Sequence, residues 1–387
     1  MRWTSGTYHD VLTAAIADFP GPWYLETAME RKKVAVIGAT GIAGQQFLVS
    51  LSDHPWFEVT ALAASPRSAG KTYVEAIKQP NGAMAWWCEE ELAASFQTMV
   101  VQDANALDPE EFDLIFTAVE SDAAREIEPR FAAHKPVFST ASAFRREADV
   151  PLIIPGVNND HISLVARQKE TRGWNGFVLP IPNCTTTGLA IALKPLHAAF
   201  GVDLAVMTSM QAVSGAGRNG GVLAMDVLDN LIPFIPNEEE KVQFETCKVL
   251  GELVGNEVQP AHTAITGTCT RVATIDAHTI TVAASLQEPA SVGEAQAAME
   301  ALGSDLQGLP SAPKQLIHVH DDPFRPQPRL DRNRGKGMVT SVGRLRADPV
   351  LNNGLKFVLV SHNTRMGAAR GSILLAELAI RQGLLDA

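Results

Sequence analysis

Lys33-Val34-Ala35-Val36-Ile37-Gly38-Ala39-Thr40-Gly41-Ile42-Ala43-Gly44 reads as a strand, a glycine turn and the first turn of a helix. The apolar run has no polar alternation, as expected of a strand covered on both faces. Gly38 and Gly41 supply the tight turn and let a ligand approach the backbone, and Gly44 lets the helix lie against the strand. The helix start offers unpaired N–H groups and the positive dipole end to a pyrophosphate. Downstream the pattern repeats, with strands at residues 57–63, 113–119 and 135–139 and a helix at 122–133. Such alternation implies right-handed crossovers and a parallel sheet. The turns at Gly38, Thr117 and Ser139 then line one crevice at the carboxyl ends of the strands. A site for an unphosphorylated ribose usually closes the second strand with a carboxylate. Here Ser65, Arg67 and Ser68 follow it instead, and they suit a 2′-phosphate, which points to NADP.

At 387 residues, 46% of them hydrophobic and 19% charged, the chain is an ordinary globular protein long enough for two domains. A net charge of −11 disfavours nucleic acid as a partner. No apolar run approaches a membrane span. The four cysteines are scattered without a metal-ligand spacing, which fits a reduced, cytoplasmic setting and no metal. Residues 1–30 lack the order of a signal peptide and are read as a peripheral extension.

A second signal lies at Leu179-Pro180-Ile181-Pro182-Asn183-Cys184-Thr185-Thr186-Thr187-Gly188. The prolines force extended backbone, Asn183 is a good N-cap, and the apolar run from Leu189 looks helical. Cys184 therefore falls in a first helical turn, where free N–H groups favour a thiolate able to attack a carbonyl. Strands follow at residues 202–211, 271–275, 279–284, 338–346 and 357–361, and a last helix at 372–382 packs back on the first domain. The expected architecture is a Rossmann-type parallel-sheet domain (31–181 plus 363–387) and an α+β catalytic and dimerisation domain with a mostly antiparallel or mixed sheet (182–362).

Gly38-Ala39-Thr40-Gly41, Pro182-Asn183-Cys184-Thr185, Met210-Gln211-Ala212-Val213-Ser214-Gly215-Ala216-Gly217, Arg271 with His278, and Leu309-Pro310-Ser311-Ala312-Pro313 resemble the aspartate-semialdehyde dehydrogenases. Arg325-Pro326-Gln327-Pro328-Arg329-Leu330-Asp331 and His362-Asn363-Thr364 are most similar to the archaeal and fungal branch. The resemblance implies interconversion of 4-aspartyl phosphate and L-aspartate-4-semialdehyde plus phosphate, with NADP, in lysine, threonine, methionine and isoleucine synthesis. It also implies a homodimer or homotetramer. In that family pattern Cys184 is the nucleophile, His278 its acid/base partner, and Gln211 and Asn183 orient substrate. Arg271 takes the substrate carboxylate, Glu238 its ammonium, and Arg145 and Lys241 the phosphate. Gly38, Thr40, Gly41, Ile42, Ser65, Arg67, Ser68, Ser214, Gly215 and Asn363 fall to the cofactor.

Thr140, Gly156, Arg218, Ala273 and Ala277 depart from the family pattern and are expected near the pocket. They leave room for a related malonyl-CoA or succinyl-CoA reductase with the same cysteine chemistry. A non-catalytic NADP-binding redox sensor is a third reading. The retained set Cys184, Gln211, Arg271 and His278 speaks against the sensor, and Glu238 speaks for an amino-bearing substrate. His318 and His320 read as a surface loop.

Overall fold

The computed structural model describes residues 30–217 and 224–385. Residues 1–29 of the 1–30 extension, and Arg218, lie outside the described residues.

Strands β1 (Lys32–Ile37), β2 (Phe57–Ala64), β3 (Val101–Asp103), β4 (Leu114–Thr117), β5 (Val137–Ser139) and β6 (Val178–Pro180) form one sheet in the order β3-β2-β1-β4-β5-β6, every pairing parallel. Successive β1 residues enter different layers. Val34 and Val36 pack with Phe47 and Leu48 of helix α1 (Ile42–Leu51), whereas Ala35 and Ile37 pack with Ala124 and Phe131 of α2 (Ser121–Ala132). Coverage on both faces is why the sequence of β1 shows no alternation. The strand order reverses between β1 and β4, and there the crevice opens. Gly38 sits at φ +84°, and a Cβ on it would lie 2.2 Å from the carbonyl oxygen of Ala118. A Cβ on Gly44 would lie 2.2 Å from the carbonyl oxygen of Gly38. Gly38 and Gly44 are thus fixed by sterics, while a Cβ on Gly41 would meet only the carbonyl oxygen of Gly38 at an ordinary 3.5 Å.

The second sheet runs β10-β7-β11-β14-β13-β12, from β7 (Val202–Gln211), β10 (Ala264–Arg271), β11 (His278–Leu286), β12 (Ile317–His320), β13 (Thr340–Ala347) and β14 (Leu355–Ser361). It is mixed: β10 with β7 and β12 with β13 are parallel, the rest antiparallel. A short hairpin, β8 (Glu252–Val254) and β9 (Glu257–Gln259), stands apart. Helices α3 (Cys184–Phe200), α4 (Glu238–Leu250) and α5 (Val292–Glu300) cover one face. Along β7, Ala205, Met207, Ser209 and Gln211 are buried beneath them, while Val206 on the other face is 42% exposed. The terminal helix α6 (Ala369–Arg381) packs on α1 and β5, as its apolar face suggests.

Three sequence expectations need correction. The strand expected at 271–275 ends at Arg271, because Val213 and Ser214 take the carbonyls of Thr274 and Ile275 in a loop. His318 and His320 belong to edge strand β12, and His320 Nε2 lies 3.1 Å from a carboxylate oxygen of Asp331. The short strands β3 and β6 were not anticipated, since three residues show no period.

Candidate active site

Two strand ends and one helix start converge. In the parallel register of β10 and β7, Arg271 pairs with Gln211, the last residue of each strand, and β11 begins at His278 beside them. The loop 272–277 crosses the end of β7, so Arg271, Gln211 and His278 stand at one edge of three adjacent strands. Arg271 donates from Nη1 to the carbonyl of Ala212 at 2.7 Å.

Cys184 opens α3. The Asn183 side chain accepts the N–H groups of Thr185 and Thr186 at 2.8 and 3.2 Å, an N-cap as expected. Sγ of Cys184 lies 3.1 Å from Nε2 of His278, and Nδ1 of His278 accepts the main-chain N–H of Ala212 at 3.0 Å. Gly215 closes over this pair, where a Cβ would lie 3.1 Å from both Arg271 Nη1 and His278 Cε1.

The electrostatics differ from the thiolate expected at a helix start. Burial first, then the charge of Glu238, pushes the Cys184 thiol up to about 12, outweighing Arg145, Arg271 and the N–H of Thr185. Burial, with the field of Arg271, pushes His278 down to about 3. Both shifts favour the uncharged forms of the pair, because burial of a sulfur anion opposes the help that one helix terminus gives it.

Helix α4 organises the rest. Oε1 of Glu238 takes hydrogen bonds from Asn183 (2.9 Å), Thr185 (3.2 Å) and Gln211 (3.2 Å), and Oε2 faces Lys241 Nζ at 4.0 Å. Two turns on, Glu245 accepts Arg145 Nη1 at 3.1 Å on one oxygen and the N–H of Asn183 at 2.6 Å on the other. Lys248 then donates to the carbonyls of Arg145, Glu147 and Val150 at 2.9, 2.8 and 2.8 Å. Glu238, Lys241, Glu245 and Lys248 lie on one helical face. Glu245 and Lys248 were not singled out from the sequence, although their spacing from Glu238 was the signal that could have found them.

Arg145, Asn183, Cys184, Glu238, Lys241 and Arg271 line a pocket of about 590 Å³. Gln211 and Gly215 line it too, and it reaches Val119, Glu120 and Ser121 beyond the end of β4. Gly38, Thr40 and Gly41 form the turn after β1 and Ile42 opens α1, while Ser65, Arg67 and Ser68 form the polar turn after β2. Asn363 ties Ser214 to the loop before β11, donating to Ser214 Oγ at 2.8 Å and accepting the N–H of Ala277 at 2.8 Å. A glycine cradle at a helix start and cationic hydroxyl-bearing residues one strand away fit a phosphorylated dinucleotide. Among the described residues there is no group of three or more potential metal ligands, and no helix is long and apolar enough to cross a membrane.

Not all the departures cluster at the pocket. Thr140 lines it, and Ala277 is buried beside His278 at φ +74°. Ala273 is exposed in the crossing loop. Gly156 lies elsewhere, at φ +82° against Leu316 and Leu306, where a Cβ would come within 2.6 and 2.9 Å of them.

A doubly wound nucleotide-binding sheet whose crevice opens onto a cysteine–histidine pair in a cationic pocket defines a class, the nicotinamide-dependent aldehyde oxidoreductases. Residues 33–165 match the family profile described as semialdehyde dehydrogenase, NAD binding domain, and 193–366 the one described as semialdehyde dehydrogenase, dimerisation domain. The chain is 44% identical over 347 residues to an aspartate-semialdehyde dehydrogenase of Methanothermobacter thermautotrophicus, covering 89% of this chain and 98% of the relative. It is 41% identical over 374 residues to that of Saccharomyces cerevisiae, covering 92% and 100%. A crystal structure of aspartate semialdehyde dehydrogenase with NADP from Candida albicans superposes with a TM-score of 0.80 at 39% identity, covering 91% of this chain and 99% of that one. This chain belongs to the aspartate-semialdehyde dehydrogenase family.

Proposed function

We propose that the chain interconverts 4-aspartyl phosphate and L-aspartate-4-semialdehyde plus phosphate, with NADP, through a thioester on Cys184. The observation that carries this reading is the 3.1 Å approach of Cys184 Sγ to His278 Nε2 inside a pocket lined by Arg145, Lys241 and Arg271. Bound NADP supplies or receives the hydride. Cys184 forms and releases the bond to the acyl carbon, and His278 is the proton-bearing group within reach of sulfur. Arg271 holds the substrate carboxylate in a fork. Glu238 keeps Oε2 for the substrate ammonium, Gln211 and Asn183 fix the reacting groups, and Arg145 and Lys241 hold phosphate. Gly38, Thr40, Gly41 and Ile42 cradle the pyrophosphate, Ser65, Arg67 and Ser68 meet the 2′-phosphate, and Ser214, Gly215 and Asn363 border the nicotinamide.

Residues 31–181 with 363–387 are read as the NADP-binding domain and 182–362 as the catalytic one. The dimerisation profile supports a homodimer, for which the open face of the second sheet around Val206 offers the surface; a tetramer is its finer form. Free Cys88, Cys184, Cys247 and Cys269 suit the cytoplasm. The acyl-CoA reductase and redox-sensor readings are not favoured, given relatives above 40% identity that carry the aspartate-semialdehyde name.

The test is phosphate-dependent NADP reduction with aspartate semialdehyde, run beside NADPH oxidation with malonyl-CoA and succinyl-CoA. Activity with the semialdehyde alone, abolished in Cys184→Ser, is expected. Turnover of a CoA thioester but not of the semialdehyde overturns the substrate, and full activity in Cys184→Ser overturns the thioester.

A further inference from the structure

An ammonium group has three N–H bonds and a neutral amine only two. Lys248, buried in α4, directs Nζ at the carbonyls of Arg145, Glu147 and Val150, at 2.9, 2.8 and 2.8 Å. Three acceptors around one nitrogen are all satisfied only by the charged form. Little else orders the stretch they belong to. Residues 140–150 form neither strand nor helix, and the main-chain turn bonds within 142–150 run from 3.1 to 3.4 Å. The shorter, charge-assisted bonds of Lys248 outweigh them. We propose that Lys248 is a positioning residue for phosphate: its ammonium clamps the turn that carries Arg145 and so fixes where the guanidinium stands in the pocket.

The inference rests on Arg145 holding phosphate, and it adds what holds Arg145. The head of that side chain donates to Glu245 at 3.1 Å and to the carbonyl of Thr140 at 2.8 Å, while its root is held through its own carbonyl by Lys248. Glu245 and Lys248 are three residues apart on α4, so one helix face grips both ends of the arginine. Lys241, the other phosphate cation, precedes Lys248 by two turns, about 10 Å along the same helix. Helix α4 thereby sets the spacing of the two cations, although Lys248 itself does not line the pocket. The groups around Nζ pull in opposite directions. Asp149 and Glu147 on the clamped turn and Glu245 on α4 favour the ammonium, but burial outweighs them and brings Lys248 from 10.5 down to about 8. Arg172, which ends the helix Leu164–Arg172, draws Asp149 at 2.7 Å and Glu147 at 3.7 Å, and His161 on the turn before that helix feels the charge of Lys248. Once the proton is lost above pH 8, two donors serve three carbonyls, one carbonyl faces a lone pair, and the clamp loosens. Phosphate binding is therefore firm below pH 8 and weakens above it.

Initial rates with varied phosphate, from pH 7 to 9.5, test this on Lys248→Met, which keeps most of the side-chain volume and removes the charge. At pH 7 its phosphate KM is expected to rise about tenfold, with kcat at saturating phosphate and the semialdehyde KM within about twofold of wild type. The ratio of variant to wild-type phosphate KM is then expected to shrink as pH passes 8, because wild type loses the charge that the variant lacks. Titration of the substrates and of other residues cancels in that ratio. A folded variant with the wild-type phosphate KM, equal losses in kcat and both KM values, or a ratio constant with pH overturns the proposal. Lys248→Arg keeps its charge throughout the range. Its phosphate KM is expected to lack the rise that wild type shows above pH 8, and an equal rise overturns the proposal even where Lys248→Met does not fold. Arg145→Gln separates the two readings. If it raises the phosphate KM and Lys248→Met does not, Arg145 holds phosphate without Lys248 and this proposal alone falls. If it leaves that KM unchanged, the phosphate role of Arg145 falls and the proposal with it.

Discussion

Glu245→Gln is the sharpest probe of how the phosphate side of the pocket is built. Each oxygen of this buried carboxylate has one partner: Arg145 Nη1 at 3.1 Å and the N–H of Asn183 at 2.6 Å. Glutamine keeps the shape but offers one acceptor and one donor, so a donor must face either the guanidinium or the amide. The guanidinium loses its counter-charge at the same moment, and Arg145 Nε already has no partner. Breaking a buried pair from one side costs about 3–5 kcal/mol, and the bond glutamine retains places the expected loss near the lower end, about 3 kcal/mol. At roughly 2 °C per kcal/mol for a chain of this size, Tm falls by about 6 °C. Because Asn183 caps the helix of the nucleophile and Arg145 comes from the other half, the loss extends to binding. The KM for phosphate is expected to rise about tenfold, equivalent to about 1.4 kcal/mol, with a smaller change for the semialdehyde. Thermal unfolding and initial rates with varied phosphate measure both, and Glu240→Gln, on the exposed face of the same helix, is the control. A Tm within about 1 °C of wild type together with an unchanged phosphate KM would refute the reasoning.

Glu128 lies buried in α2, accepting the hydroxyls of Thr117 and Ser139, and burial raises its pKa from 4.5 to about 7. A folded-state pKa above the unfolded one gives stability that is whole below pH 4.5 and lost as pH rises through 7. Wild type is therefore expected to lose up to about 3 kcal/mol relative to Glu128→Gln between pH 4.5 and 8 in urea unfolding; parallel stability curves would count against it. Gly215→Ala places a methyl against Arg271 and His278, and a few tenths of an ångström of displacement should lower kcat by about tenfold with little change in Tm. Unaltered kcat would show that the ring has room to move. Arg67→Ala is expected to raise the KM for NADP by about tenfold while leaving that for NAD alone, and an equal rise for both would remove Arg67 from the 2′-phosphate.

Much of the first half was legible because its signals are local. The unbroken apolar β1 run and its glycine turn are contiguous, and Gly44 meets Gly38 and Ala39 of its own turn, whereas the contact that closes off Gly38 comes from Ala118 at the end of β4. The N-cap at Asn183 was equally readable, since the bonds it makes are to its own helix. What the sequence obscured depends on distant partners. The upward push on the Cys184 thiol comes from burial and from Glu238, against the helix start. The place of Glu245 and Lys248 requires knowing that α4 lies across the Arg145 loop. The end of β10 at Arg271 follows from the loop bonds of Val213 and Ser214, which carry no pattern of their own. His278 could be named from sequence, whereas the partner of its Nδ1 could not, because that partner is the peptide N–H of Ala212.

The crossing of loop 272–277 over the end of β7 also bears on which changes the gene can absorb. Side chains alternate faces along a strand, so adding or deleting one residue within β7, β10 or β11 would turn Gln211, Arg271 or His278 to the opposite side of the sheet. Single-codon insertions there should behave as nulls even where every residue is conservative. Ala273 and Ile275, exposed at the crest of the loop, are held at neither side chain by the sheet. Substitutional diversity in a directed-evolution library is best confined to those two positions, which stand outside the pocket lining and leave strand register fixed.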